Sequence, residues 1–149
     1  ARRLMIAASE DVGMADPSAL QTAVAAAQAV AMIGMPEARI ILSQCAVYLA
    51  TSPKSNSAYM AIDNALSLVK QTGSLPVPLH LRNAPTKLMK ELNYGSGYRY
   101  AHDFEGNFVQ QDNLPEGIDG RVLYEPGDNP SEERVRAKLR EDWKGKYKY

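Results

Sequence analysis

The chain has 149 residues, 17 basic and 17 acidic side chains, 45% hydrophobic content and one cysteine. That is the size of one ordinary domain with a core of its own. The lone Cys45 excludes an internal disulfide and suits a reducing, cytoplasmic setting. The apolar run from Ala23 to Met35 carries Gln28 and is too short to span a bilayer, and no basic stretch directly precedes it as in a signal peptide.

The elements follow in chain order. "ARRLMIAASEDV" reads as a helix closing at Gly13; because the pattern is already helical at Ala1, the chain is expected to be a piece of a longer protein. "DPSALQTAVAAAQAVAMIG" opens with Asp16 as N-cap and Pro17 in the first helical position, and its stripe is Leu20, Ala23, Val24 and Ala27. "MPEARIILSQCAVYLATSP" starts at Pro36 and places Ile41, Cys45 and Tyr48 on one face. "KSNSAYMAIDNALSLVKQTG" places Tyr59, Ile62, Leu66 and Val69 on another and ends at Gly73. Short links between the four favour antiparallel packing.

Beyond residue 74 the character changes. Pro76, Pro78 and Pro85 break the chain, and Asn83 is expected to cap a short helix over "APTKLMKELNYG" with Leu88 and Leu92 inward. Tyr98, Tyr100, His102 and Phe104 alternate, which predicts an extended run and a short β-hairpin through Gly106. Phe108, Leu114, Ile118, Leu123 and Tyr124 anchor an ordered loop, and Ser131 is expected to cap a final helix with Glu132 and Glu133 at its positive end and Val135, Leu139 and Trp143 inward. The fold class is therefore mainly α: a helical bundle over residues 1–74, a proline- and aromatic-rich cover over 75–130 with one short helix, and a basic helix and tail over 131–149, expected to form one compact unit.

Catalytic patterns are missing. There is no GxxxxGK[ST] phosphate loop, and "GSGYRY" has Tyr100 where a dinucleotide fingerprint has its third glycine. Cys45, His80 and His102 are too few and too scattered for a zinc site. Cys45 falls on an apolar face, where cysteine is normally an inert hydrophobe. His102 and Asp103 point to opposite faces of an extended run, which favours a structural histidine. Glu10 and Asp11, consecutive on a helix, diverge rather than converge.

One binding reading survives. Charge is segmented: residues 53–100 carry six basic and two acidic groups, net +4, and 101–130 carry one and seven, net −6. Residues 1–52, with three and four, are net −1; residues 131–149, with seven and four, are net +3. Arg82, Lys87, Lys90 and Arg99, beside Tyr94, Tyr98, Tyr100, Phe104 and Phe108, are candidate DNA contacts with exposed bases stacked on the rings. Internal charge pairing and a local aromatic core are the favoured alternatives.

Three stretches together carry a resemblance: "ARRLMIAASEDVGMADPSAL", "LATSPKSNSAYMAIDNAL" and "LPVPLHLRNAPTKLMKELNYGSGYRYAHDF". The chain resembles, from Arg2 to about Tyr124, the C-terminal region of the replication-associated recombination protein A, or MgsA, family of AAA+ ATPases, whose eukaryotic relative is the Werner-helicase-interacting ATPase. "YEPGDNPSEERVRAKL" keeps the family's Tyr124 and Pro126 but spells the next turn differently. The resemblance implies a clamp-loader-like collar that assembles the parent as a homotetramer and performs no chemistry itself. It also implies a parent ATPase using ATP and Mg in a preceding module, and acting on DNA at stalled forks. Single-strand binding protein and other replication factors are the implied partners, with no membrane involved and a location at the bacterial nucleoid.

Overall fold

The computed structural model describes residues 1–149 and is helical, without strands. It divides into two compact units. The first comprises Ala1–Leu66, Leu123–Lys138 and Tyr149; the second comprises Ser67–Val122 and Leu139–Lys148. Six α-helices are present: α1 (Arg2–Ala7), α2 (Ser18–Ile33), α3 (Ala38–Thr51), α4 (Ser57–Thr72), α5 (Lys87–Glu91) and α6 (Pro130–Trp143).

In the first unit α2 packs against α3, and α1 contacts both. The expected first helix is continuous only in outline. It widens into a π turn over Ala8–Val12 and then tightens into a 3₁₀ turn over Gly13–Ala15. Gly13 has φ +50° there, and a Cβ on it would lie 2.5 Å from the Ser55 carbonyl oxygen, so only glycine lets the two backbones approach. Asp16 opens α2 as expected. Its Oδ1 accepts from the Ser18 N–H at 3.1 Å, and its backbone carbonyl accepts from Ala19 at 3.0 Å. The Asp16 Oδ2 accepts the Tyr48 hydroxyl at 2.6 Å, a bond that, with burial, pushes that hydroxyl's pKa up.

The core is built from small side chains: Ala8, Val12, Ala19, Ala23, Ala26, Cys45 and Leu49, with Ile41 and Tyr48 packed against it. The shared face of Ile41, Cys45 and Tyr48 is thus the inner face of α3. On α2 the expected stripe is displaced. Ala19, Ala23 and Ala26 face inward, while Leu20 and Val24 are exposed. Alanine gives little hydrophobic contrast around a helix, and close approach to α3 selects the face with the smallest side chains.

The second unit contains α5, the 3₁₀ turns Leu79–Leu81, Ala101–Asp103 and Glu105–Asn107, and irregular chain between them. The β-hairpin expected through Gly106 is not formed. Gly106 (φ +67°) and Asn107 (φ +54°) are both left-handed, and the Asn107 side chain bonds His102, so the stretch coils into two tight turns. Thr86, not Asn83, caps α5, accepting the Met89 N–H at 3.3 Å. Leu88 and Leu92, expected inward, are exposed. Trp143 packs edge-on against Phe108 at 5.2 Å and against Tyr147 at 4.7 Å. Lys146 pairs with Asp112 at 2.5 Å.

Candidate functional site

Glu132 is the buried charge of the first unit, at 0% exposure. It lies in the first turn of α6, and Asn129, two residues before the expected Ser131, is the capping residue. The Asn129 Oδ1 accepts from the Glu132 N–H at 3.0 Å, and its Nδ2 returns a bond to the Glu132 Oε2 at 2.6 Å. The first bond is that of an N-cap, and the return bond comes from the Asn129 side-chain amide rather than from its backbone N–H as in a capping box; Pro130 takes the first helical position. Ser57, which opens α4, donates its hydroxyl to Oε1, and Tyr124 donates to the same oxygen at 2.8 Å. A Cβ on Gly127 would lie 2.8 Å from Oε2 and 3.0 Å from the Ser55 Oγ, so the loop before α6 closes on the carboxylate with no room for a side chain.

The electrostatics follow from this cage. Burial pushes the Glu132 carboxyl up, but bonds from Ser55, Ser57, the Gly127 backbone and Asn129 outweigh it and hold the pKa at about 2. Burial, then the bond to this carboxylate and its charge, push the Tyr124 hydroxyl up to about 12. Glu132 is an ion at neutral pH, saturated by donors and closed to solvent. It holds the α3–α4 loop to the start of α6 and offers no face to a substrate. Arg136 completes the turn. Its guanidinium donates to the Pro126 carbonyl at 2.5 Å and pairs with Asp128 at 3.2 Å and with Glu133.

Sequence reading assigned Glu132 only to the helix dipole. The signal that marks it is the Asn129-Pro130-Ser131-Glu132 spacing of a capping box; its remote partners Ser55 and Ser57 leave no such local mark.

The surface of the first unit is apolar in two places. Met32, Ile33, Met35 and Ile40, around the α2–α3 turn, are 86%, 55%, 72% and 58% exposed. An open groove of about 570 Å³ is lined by Met5, Ile6, Leu20, Tyr59 and Ile62, with Arg2, Ser9 and Glu10 among its polar positions. The α4 stripe expected from the sequence, Tyr59, Ile62, Leu66 and Val69, is exposed along its length.

The residues singled out for chemistry are dispersed. Cys45 is buried in the core, where desolvation pushes its thiol pKa up. The His102 Nδ1 lies 3.1 Å from the Asn107 Oδ1, and its ring packs on Tyr100 at 5.0 Å. His80 meets Asn113 at 3.4 Å. Glu10 and Asp11 lie on the π turn, where the Asp11 carbonyl accepts the Ser55 N–H at 2.8 Å. No group of three His, Cys, Asp or Glu is gathered as a metal cage. No helix is long and apolar enough to cross a membrane.

The four DNA candidates all lie in the second unit. The Arg82 guanidinium sits 5.0 Å over the Tyr94 ring and donates to the Val77 carbonyl at 2.6 Å. Arg99 sits 4.5 Å over Phe104 and reaches the Gln110 carbonyl at 3.4 Å. Lys87 and Lys90 are exposed on α5, Lys87 at 3.9 Å from Glu91. The aromatic set divides: Phe104 and Phe108 are half-buried, whereas Tyr98 and Tyr100 are 56% and 53% exposed.

The sequence pattern of the family described as MgsA AAA+ ATPase C terminal matches residues 1–143. The chain belongs to that family. Among relatives of this MgsA C-terminal domain, the replication-associated recombination protein A of Coxiella burnetii is 49% identical over 93% of this chain and 32% of its own length. The protein of the same name in Escherichia coli K12 is 44% identical over 93% of this chain and 31% of its own length. The ATPase WRNIP1 of Dictyostelium discoideum is 47% identical over 83% of this chain and 14% of its own length. The domain therefore spans a third or less of these relatives.

Proposed function

We propose that this MgsA C-terminal domain is the self-assembly part of a longer ATPase that acts in replication-associated recombination. The carrying observation is the inverted use of apolar side chains. The nine buried hydrophobic residues are mostly alanines, while twenty large ones, including those at the α2–α3 turn, are exposed. Soluble monomers rarely leave so much apolar surface open, and a second copy of the same chain covers such surface symmetrically. The assembling part is the bundle of residues 1–74, in a collar-like arrangement of four copies.

The proposal extends to the parent chain. ATP and Mg are assigned to its preceding module; in keeping with that reading, the Gly145-Lys146 pair here follows α6 instead of opening a helix after a strand. Stalled forks are the site of action, and single-strand binding protein is a partner. The test of assembly is solution mass by light scattering over a concentration series. Four times the 16.3 kDa of the chain is expected, falling to one in a Met32→Glu, Met35→Glu double variant. A wild-type monomer at every concentration, in the parent chain as well, rejects the reading.

A second reading is favoured by the exposure of Tyr98 and Tyr100. They stack bases of single-stranded DNA while Arg82, Lys87, Lys90 and Arg99 meet phosphates. It expects affinity that falls steeply with salt and falls about tenfold or more in Tyr98→Ala, Tyr100→Ala, since each stacked base contributes about 1–3 kcal/mol. Unchanged binding in that variant rejects it.

A further inference from the structure

We infer that the groove between α1 and α4 is the docking site for the polypeptide immediately preceding Ala1 in the parent chain. This rests on the reading above, that the domain is the C-terminal part of a longer ATPase.

The groove is apolar inside, with Met5, Ile6, Leu20, Tyr59 and Ile62, and has Arg2 and Glu10 as charges of opposite sign. Its occupant is thus an amphipathic segment that inserts one or two large aliphatic or aromatic side chains and meets both charges with polar groups. Two observations select the preceding chain over a second copy. The first is size. Nine residues line the groove, whereas a stable interface between separate proteins uses about 20–30 residues a side. A volume of about 570 Å³ suits a few anchoring side chains. The second is attachment. Bacterial relatives carry about two-thirds of their length outside the matched part, which the family description calls C-terminal. Arg2, Met5 and Ile6 of α1 are themselves groove residues. A segment entering through α1 is therefore tethered at the groove, and a short tether supplies an effective concentration on the order of millimolar. At that concentration a contact too small to hold two free molecules is occupied.

The test uses the parent chain with a benzophenone side chain replacing Ile62, which is 55% exposed. Irradiation is expected to give links within one chain, mapped by mass spectrometry to the segment ahead of Ala1, and reduced at least tenfold by Leu20→Glu. Links between two copies, or none to the preceding segment, overturn the proposal. Solution mass is read on the same samples. Ile62→Glu is expected to leave it unchanged, as is Val47→Glu, an exposed control outside the groove. A fall to monomer in Ile62→Glu alone makes the groove a self-assembly contact and overturns the proposal while keeping the assembly reading. A wild-type parent that is monomeric overturns that reading instead, and the link map still decides the groove.

Discussion

The two units solve the problem of a small core in opposite ways. Every buried residue belongs to the first: alanines, Val12, Cys45 and Leu49, with Ser57, Pro126 and Glu132. The second has none. It is held instead by rings and cations at half-exposed positions, Arg82 on Tyr94, Arg99 on Phe104 and Lys146 on Asp112. A buried, saturated carboxylate gives one geometry and a large penalty for losing it. Exposed cation–ring and ion-pair contacts each contribute little and are weakened by salt. Defects in the first unit should therefore be severe and local, and those in the second mild and distributed.

The sharpest attack on that contrast is Glu132→Ala. It strands the Ser57 and Tyr124 hydroxyls and the Asn129 amide, and is expected to cost about 3–5 kcal/mol in urea unfolding. A loss under 1 kcal/mol would mean the cage adds nothing. Next is Gly13→Ala, whose Cβ meets the Ser55 carbonyl at 2.5 Å in a left-handed backbone; about 2–3 kcal/mol is expected in the same assay.

Tyr124→Phe should follow at about 1–2 kcal/mol, with a pH signature at each end. The Tyr124 pKa is raised to about 12, so its contribution is whole below the ordinary value of 10.0 and disappears as pH climbs through 12. The Glu132 pKa is depressed to about 2, so its contribution is whole above the ordinary 4.5 and disappears as pH falls through 2. The stability difference between wild type and variant should be flat from pH 5 to 9. A slope within that window would count against the assignment. The smallest effect belongs to Lys146→Ala. The hydrogen bond from Lys146 holds the Asp112 carboxyl below its usual range. Faster amide exchange is expected from Trp143 to Tyr147, already mimicked by high salt in the wild type, with the first unit unmoved.

What was legible from sequence tracks the range of the interaction responsible. Pro17, Gly13, Gly34 and Gly73 set helix limits by local backbone rules, and α2 to α4 lie where those residues put them. The face of α3 was readable from Ile41, Cys45 and Tyr48 recurring at helical spacing, and all three lie in or against the core. The face of α2 was not, because in an alanine-rich helix the inner side is chosen by the partner helix. The hydrophobic stripe of α4 was legible as a stripe but its exposure was not, since periodicity reports that a face is apolar and not what covers it. The hairpin failed because alternating aromatics were counted without the left-handed preference of Gly106 and Asn107. The Glu132 cage was invisible for a different reason. Ser57 and Glu132 are 75 residues apart, and no local rule relates them.

That separation governs how the gene can be cut. The compact first unit is not a continuous stretch, because the carboxylate that α4 needs at its opening turn is encoded after residue 122. A shortened product ending at residue 74 keeps the helices of the bundle and loses their keystone, leaving the Ser57 hydroxyl facing water at the point where the α3–α4 loop was fastened. Expression boundaries placed after α6 retain it; boundaries chosen from helical periodicity alone do not.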